Sequence, residues 1–420
     1  MDKKMSRNIH SVGLDIGTSR VRCVVGEVNE AGIVEVVGIG QAESRGIKRG
    51  IVARSEQVTE SIKKAVEDAE RISGLEVQLV SINLSGEHLR GENKHGVVAV
   101  TGVGREISDE DVNRVIESAS AMQLPVGWEI VERLPQEFIV DGQDGIVEPV
   151  GMRGARLEAK VHTIISPGVG RQNAVKAVHG AGLEIECMFL EPLAAAEAVL
   201  TDDDKEYGSA LVNIGADLTG VVIFQGGTVK HTAIFPFGSM HFTKDVAVGL
   251  RVSISEAERI KQEFGVVSMP WLSEEEKREV IEVTPVGKNQ VRQLSREILC
   301  DMLQPRAIEI LQHIAAEVRR ATGERQLSSG IILTGGGANL NGLVDVAEQI
   351  FDAPTRIGVP ERDRFGGLVD GLQNPEWAVA AGLLLSSVRE QMGDHKESRR
   401  ARKPAQKLGE WFSSLREKFR

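Results

Sequence analysis

Gly13-Leu-Asp-Ile-Gly-Thr-Ser-Arg-Val-Arg22 stands near the start of this 420-residue chain, and Val212-Asn-Ile-Gly-Ala-Asp-Leu-Thr-Gly-Val-Val-Ile-Phe224 stands about 200 residues later. In both, an apolar run meets a Gly/polar turn and a second apolar run resumes, the pattern of a β-hairpin. A third strand is expected after each, over 34–39 behind Ala31-Gly32 and over 229–235 behind Gly226-Gly227. Strand, turn, strand, turn, strand thus occurs twice, which predicts an internal duplication of a whole domain core.

The segments around these cores read as alternating strands and helices. Residues 55–72 place Val58, Ile62, Ala65, Val66, Ala69 and Ile72 at helical spacing, with Ser55 as the expected N-cap. A strand follows over 77–84. Residues 85–162 differ in character: strands at 96–100, 129–134, 138–140 and 157–165, a helix capped by Ser108, and a loop over 141–154. They read as a small α+β module inserted into the first core. Next come a helix over 170–180, a short strand over 187–190, an Ala-rich helix over 191–200 and a polar, acidic linker over 201–207. In the second half, 239–265 reads as helix, 266–290 as loop-rich, and 295–321 as a long helix that Pro305 is expected to kink. A buried strand over 330–334, a helix over 341–351 and a small-residue helix over 375–388 complete it.

Composition excludes several classes. One Tyr and four Trp leave too few aromatic rings for a base-stacking surface, so nucleic acid is not an expected partner. Cys23, Cys187 and Cys300 are far apart and form no CxxC or Cys/His cluster, which argues against zinc or a disulfide framework and for a reducing compartment. No apolar signal region opens the chain, and no run of eighteen apolar residues occurs, so no membrane span is expected. The net charge of −11 is uneven: nine Lys/Arg against four Asp/Glu put residues 394–420 at +5 and the remainder at −16. A basic tail on an acidic body reads as a separate module.

Three Gly/hydroxyl turns follow buried strands: 15–19, 213–217 and 334–337. Exposed backbone N–H groups in such a turn form a concave anion site. The Thr18 and Ser19 hydroxyls add donors. A carboxylate such as Asp15 beside phosphates can hold a magnesium ion, usually through its waters. Neither GxxxxGK[ST] nor GxGxxG is present, which excludes a P-loop and the dinucleotide fingerprint. One such turn is common punctuation; three in this layout are jointly specific.

The layout resembles the actin/sugar-kinase/heat-shock-chaperone superfamily. The resemblance implies an α/β, actin-like, two-lobed ATPase fold with duplicated ribonuclease-H-like cores. Its first phosphate loop would be 13–22, its second 212–224, its adenosine loop 331–343, and its hinge helices 190–200 and 376–385. Helix residues 256–261 (Glu-Ala-Glu-Arg-Ile-Lys) would turn Glu258 and Lys261 to the nucleoside. The stretches 44–52, with Lys48-Arg-Gly-Ile-Val52, and 235–245 (Phe-Pro-Phe-Gly-Ser-Met-His-Phe-Thr-Lys-Asp) are similar to the bacterial FtsA cell-division family, as are the position of the inserted module and the charged tail.

That family resemblance implies ATP and Mg2+ as cofactors, with contacts from Asp15, Gly17, Thr18, Ser19, Arg20, Asn213, Gly215, Ala216, Asp217, Glu258, Lys261, Gly335, Gly336, Gly337 and Asn339. It implies subdomain 1A over 1–84 and 163–200 with a return at 366–390, subdomain 1C over 85–162, 2A over 201–235 and 306–365, and 2B over 236–305. It implies self-assembly into filaments, docking of the FtsZ C-terminal tail near Arg296, Arg306 and Glu309, and recruitment of later division proteins through 1C. The expected place is the cytoplasmic side of the cell membrane at the division septum. The chain departs from the superfamily at Asn213, where Asp is usual; an amide cannot act as a base, so weak or absent hydrolysis is expected. A true kinase or ATPase of this fold and an actin-like pilus-assembly protein are the alternatives, and neither needs the tail.

In that tail, Leu408, Trp411, Phe412, Leu415 and Phe419 occupy one face of a helix, with Arg416 and Lys418 beside it. Thirteen residues over 408–420 span about 20 Å, too short to cross a bilayer. Trp and Phe flanked by Lys and Arg compose an in-plane helix on anionic lipid. Burying each such side chain contributes roughly 1.5–3 kcal/mol, while ordering each residue costs about 1–2 kcal/mol. One tail behind the charged linker 391–407 is therefore expected to bind weakly, and an array of tails by avidity.

Overall fold

The computed structural model describes residues 9–29, 32–101, 104, 106–287, 291–323 and 326–400. Two of its sheets share one topology. The first orders its strands Glu184–Leu190, Leu79–Leu84, Ile9–Ile16, Arg20–Val28, Val34–Glu43 and Phe365–Gly367. The second orders Thr355–Ile357, Ile331–Thr334, Ser209–Ile214, Thr219–Gln225 and Thr228–Phe235. In each, the first strand in chain order is central and starts a three-stranded antiparallel meander. The fourth and fifth strands then join in parallel on its other side. The duplicated core is thus present, and central strands such as Ser209–Ile214 are buried on both faces, which is why they read as mostly apolar runs.

Two helices cross between the sheets, Glu191–Val199 and Ala378–Arg400. Their core joins Val24 and Val36 of the first lobe to Leu211 and Val222 of the second. At the crossing, a Cβ on Gly382 would lie 1.6 Å from the Ala194 carbonyl oxygen, so backbone meets backbone there. The lobes share an apolar seam around these two helices, the hinge helices of the expected architecture.

The inserted module is a four-stranded sheet ordered Arg90–Ala99, Arg156–Pro167, Trp128–Val140, Gln143–Ile146, covered by the helix Asp109–Ser120. Ser108 and Asp111 cap that helix reciprocally, and Val115, Phe138, Leu157 and Val161 share a core of its own.

Several local expectations are corrected. Ser55 is the first residue of the helix Ser55–Ser73; Arg54 occupies the N-cap without a side-chain bond. The strand Trp128–Val140 runs through Pro135, where the ladder absorbs a register shift, and the loop 141–154 holds a short strand. The linker 201–207 is a helix, Asp202–Tyr207, because Thr201 and Asp204 form a capping box. Residues 239–265 form two helices, broken where Arg251 takes a left-handed conformation. The helix Arg296–Thr322 is continuous through Pro305. The last helix continues to Arg400, so the stretch expected as linker from 391 begins as helix. The expected membrane helix 408–420, with Leu408, Trp411, Phe412, Leu415, Arg416, Lys418 and Phe419, lies outside the described residues.

Candidate functional site

A cavity of about 760 Å³ opens between the lobes. The duplicated hairpins meet in it. Asp15, Gly17, Thr18, Ser19 and Arg20 line it from the first lobe, and Asn213, Gly215 and Ala216 from the second. Gly335, Gly336, Gly337 and Asn339 enter from the turn after Ile331–Thr334, and Glu258 and Lys261 from the helix Ile254–Phe264. Asp217 is the exception among the sequence candidates. It is not part of the lining; its carboxylate accepts the Arg49 backbone N–H at 3.0 Å.

The two hairpin turns are built alike. Gly17 N–H donates to the Arg20 carbonyl at 3.1 Å, and Gly215 N–H to the Leu218 carbonyl at 2.9 Å. Each turn closes with the same spacing, directly after the end of its lobe's central strand. In the first lobe, Ile16 N–H also donates to Asn83 Oδ1 at 2.7 Å, tying the strand end beside Asp15 to its parallel neighbour.

The floor of the cavity holds charge that the turns alone do not reveal. Asp15 is buried; loss of water and the nearby Glu191 push its carboxyl up to about 7, against a weaker pull from Arg22. Burial also raises Glu191, which accepts a hydrogen bond from Asn213 Nδ2 at 2.7 Å across the lobes. Arg22 Nη2 donates to Glu376 Oε2 at 2.5 Å, and its guanidinium lies 5.6 Å from the Trp377 ring centroid. Arg22 Nε is buried without a partner.

Arg22, Glu191 and Glu376 were not singled out from sequence. Glu191 opens one hinge helix, and Glu376 lies in the short turn leading into the other. The runs Glu-Pro-Leu-Ala-Ala-Ala and Glu-Trp-Ala-Val-Ala-Ala carry the duplication that the hairpins revealed. Following that repeat to the hinges would have found both acids.

Chemically, the hairpin backbones suit an anion, and the Asp15 and Glu191 oxygens suit a hard divalent cation. A cation would stabilise the ionised form of Asp15 that burial disfavours. On the far wall, Lys261 Nζ donates to Glu258 Oε2 at 2.8 Å and to Thr243 Oγ1 at 3.0 Å, so this pair is already engaged within the protein. The sequence-predicted partner residues lie outside the cavity and are also paired internally. Arg296 holds the Phe264 carbonyl and Glu279; Arg306 forks onto Asp245 at 2.7 and 3.1 Å and reaches Glu309 at 2.5 Å.

Duplicated ribonuclease-H-like cores hinged on two crossing helices, with both hairpins facing one cleft, define an actin-like two-lobed protein. Solved structures of that architecture agree. PilM in a type IV pilus PilM–PilN complex superposes with a TM-score of 0.67 at 18% identity, covering 91% of this chain and 99% of that one. MreB5 of Spiroplasma citri bound to ADP superposes at 0.53 and 14% identity, covering 92% and 98%. Both likenesses speak to the fold. Sequence relationship is narrower: the family model of cell division protein FtsA matches residues 210–382, and the SHS2 domain inserted in FtsA matches 86–165. Cell division protein FtsA of Pseudomonas aeruginosa is 39% identical over 90% of this chain and 89% of its own length. This chain belongs to the FtsA family of cell-division proteins.

Proposed function

We propose that this chain binds ATP with Mg2+ in the interlobe cleft, assembles with copies of itself into filaments and tethers FtsZ filaments to the cytoplasmic face of the membrane at the septum. In this reading the two hairpins and Gly335–Gly337 take the phosphates, and Asp15 holds the metal through water. Glu258, Lys261 and Asn339 border the nucleoside. The observation that carries the reading is the convergence of both hairpins, the Gly335–Gly337 turn and the buried Asp15 on one cavity in a chain of this family.

Turnover is expected to be weak or absent, because Asn213 carries no charge and spends its amide on Glu191. Subdomain 1C recruits later division proteins, and the surface of 236–305 with Arg296, Arg306 and Glu309 receives the FtsZ tail. No described helix is long and apolar enough to cross a membrane; attachment is assigned to the 408–420 segment lying on anionic lipid.

Co-sedimentation with liposomes of mixed zwitterionic and anionic lipid tests the tether. The full chain with ATP is expected to pellet with the liposomes and carry FtsZ with it. A chain ending at residue 400 is expected to leave both in the supernatant. Equal pelleting of the two would refute the tether.

A further inference from the structure

Residues 44–52 follow Val34–Glu43, the last strand of the first sheet's meander. They form a small strap between the first sheet and its helix, with Ile47–Lys48 paired to Ile51–Val52. Its shape is firmly set. Gly46, Arg49 and Gly50 all take positive φ, of 86°, 50° and 70°, and Ala53 and Arg54 N–H both donate to the Gly46 carbonyl. A non-glycine residue at φ +50° is unfavourable by itself, so the fold must hold Arg49 there.

The strap touches both hairpins at equivalent points. Counting from the matched glycines, Ser19 corresponds to Asp217. Ser44 N–H donates to the Ser19 carbonyl at 3.0 Å, and Arg49 N–H donates to Asp217 Oδ2 at 3.0 Å. Beside the second contact, a Cβ on Gly50 would lie 2.6 Å from the Leu218 side chain, so the strap tip sits tightly on the second lobe. The Arg49 guanidinium reaches Glu87 at 3.2 Å, on the chain leading out of the first lobe's sheet.

Ser44 and Gly50 line the cavity. Ser44 Oγ is buried and has no hydrogen-bond partner, a cost that a hydroxyl facing a polar ligand would recover.

We propose that residues 44–52 are a clasp that closes the cleft over a bound nucleoside polyphosphate, with the Ser44 hydroxyl turned to the ligand and Arg49 N–H pinned to Asp217. The strap belongs to one lobe and its latch to the other, so opening the cleft must break this bond. This explains why Asp217 leaves the cavity lining although its hairpin forms it. The ligand part rests on the nucleotide reading above; the clasp itself does not.

Two readouts on the full chain separate these. Without nucleotide, amide hydrogen exchange over 44–54 is expected to be about tenfold faster in Asp217→Ala than in the wild type, since a charge-assisted bond is removed. Asp217→Asn, which keeps a carbonyl acceptor, should fall between them. Equal exchange in all three would overturn the clasp. With a fluorescent ATP analogue and Mg2+, release should be about tenfold faster in Asp217→Ala, and Ser44→Ala should weaken binding about fivefold. Unchanged release and affinity would overturn the clasp's action on the ligand. Failure of the wild-type chain to bind the analogue would instead defeat the nucleotide reading, and the exchange result would still decide the clasp.

Discussion

Residues 13–22 and 211–220 trace the same hairpin in the two lobes, and their side chains have diverged at most matched positions. Asp15 matches Asn213, Thr18 matches Ala216, Ser19 matches Asp217 and Arg22 matches Gly220. The first hairpin carries a buried carboxylate, two hydroxyls and two arginines. The second offers backbone, an amide, and an aspartate turned to the strap. Both keep the turn that presents N–H groups to an anion, so the duplication has preserved the cradle and given the charge to one side. The hinge acids differ as well: Glu191, beside the first sheet, bonds across to the second hairpin, whereas Glu376, just after the first sheet's edge strand Phe365–Gly367, bonds to the first hairpin. Of the two acids, Glu191 therefore ties one lobe to the other, and Glu376 ties the chain returning from the second lobe to the first hairpin.

The comparison breaks most sharply if the two hairpins are made alike. Asn213→Asp removes the donor to Glu191 and adds a third carboxylate near Asp15. The ligand-free chain is expected to lose about 3 kcal/mol of stability at pH 8 in urea unfolding, with part restored by Mg2+. An unchanged midpoint would mean that Glu191 does not depend on the amide.

Asp15→Asn makes the hairpins alike from the other side, and its sign is opposite. Asp15 titrates near 7 in the fold against about 3.8 unfolded. The native state therefore holds the extra proton between these values, and its contribution is full below pH 4 and lost as pH rises through 7. Asp15→Asn should stabilise the ligand-free chain by about 2 kcal/mol at pH 8 and leave it nearly unchanged at pH 4. Thermal melts at both pH values check this; equal shifts at both would contradict the buried-acid account.

The smallest effect is expected at the hinge. Glu376→Gln keeps an acceptor for Arg22 but removes its counter-charge, for a loss of about 1 kcal/mol. Glu191→Gln, by contrast, should lose less at pH 8, because Glu191 faces a carboxylate and an amide where Glu376 faces a cation. Urea unfolding of the two variants side by side would show that order or its reverse.

The repeated strand–turn–strand pattern carried most of the fold, because both cores announce themselves by apolar runs broken at glycine. It also brought both hairpin turns to one cavity, except for the Asp217 side chain, which answers to the strap across the cleft and not to its own turn. What stayed hidden depends on contacts distant in sequence. Arg22 reads as one charge in an alternating strand until Glu376, 354 residues on, is seen beside it. Ser44 is an ordinary serine until its hydroxyl is found buried and unpartnered. Helix limits failed where local chemistry was stronger than composition: Thr201 and Asp204 cap a turn that reads as linker, and Arg251, a residue that seldom takes a left-handed conformation, ends a helix by taking one.

Titration calorimetry of ATP with Mg2+ into the full chain, its Asp15→Ala variant and its Asn213→Ala variant tests most directly whether the hairpins form one site with unequal roles. The account predicts that Asp15→Ala lowers Mg2+-dependent affinity about a hundredfold and Asn213→Ala about tenfold or less. Equal losses, or an Asp15→Ala chain that binds as tightly as the wild type, would contradict it.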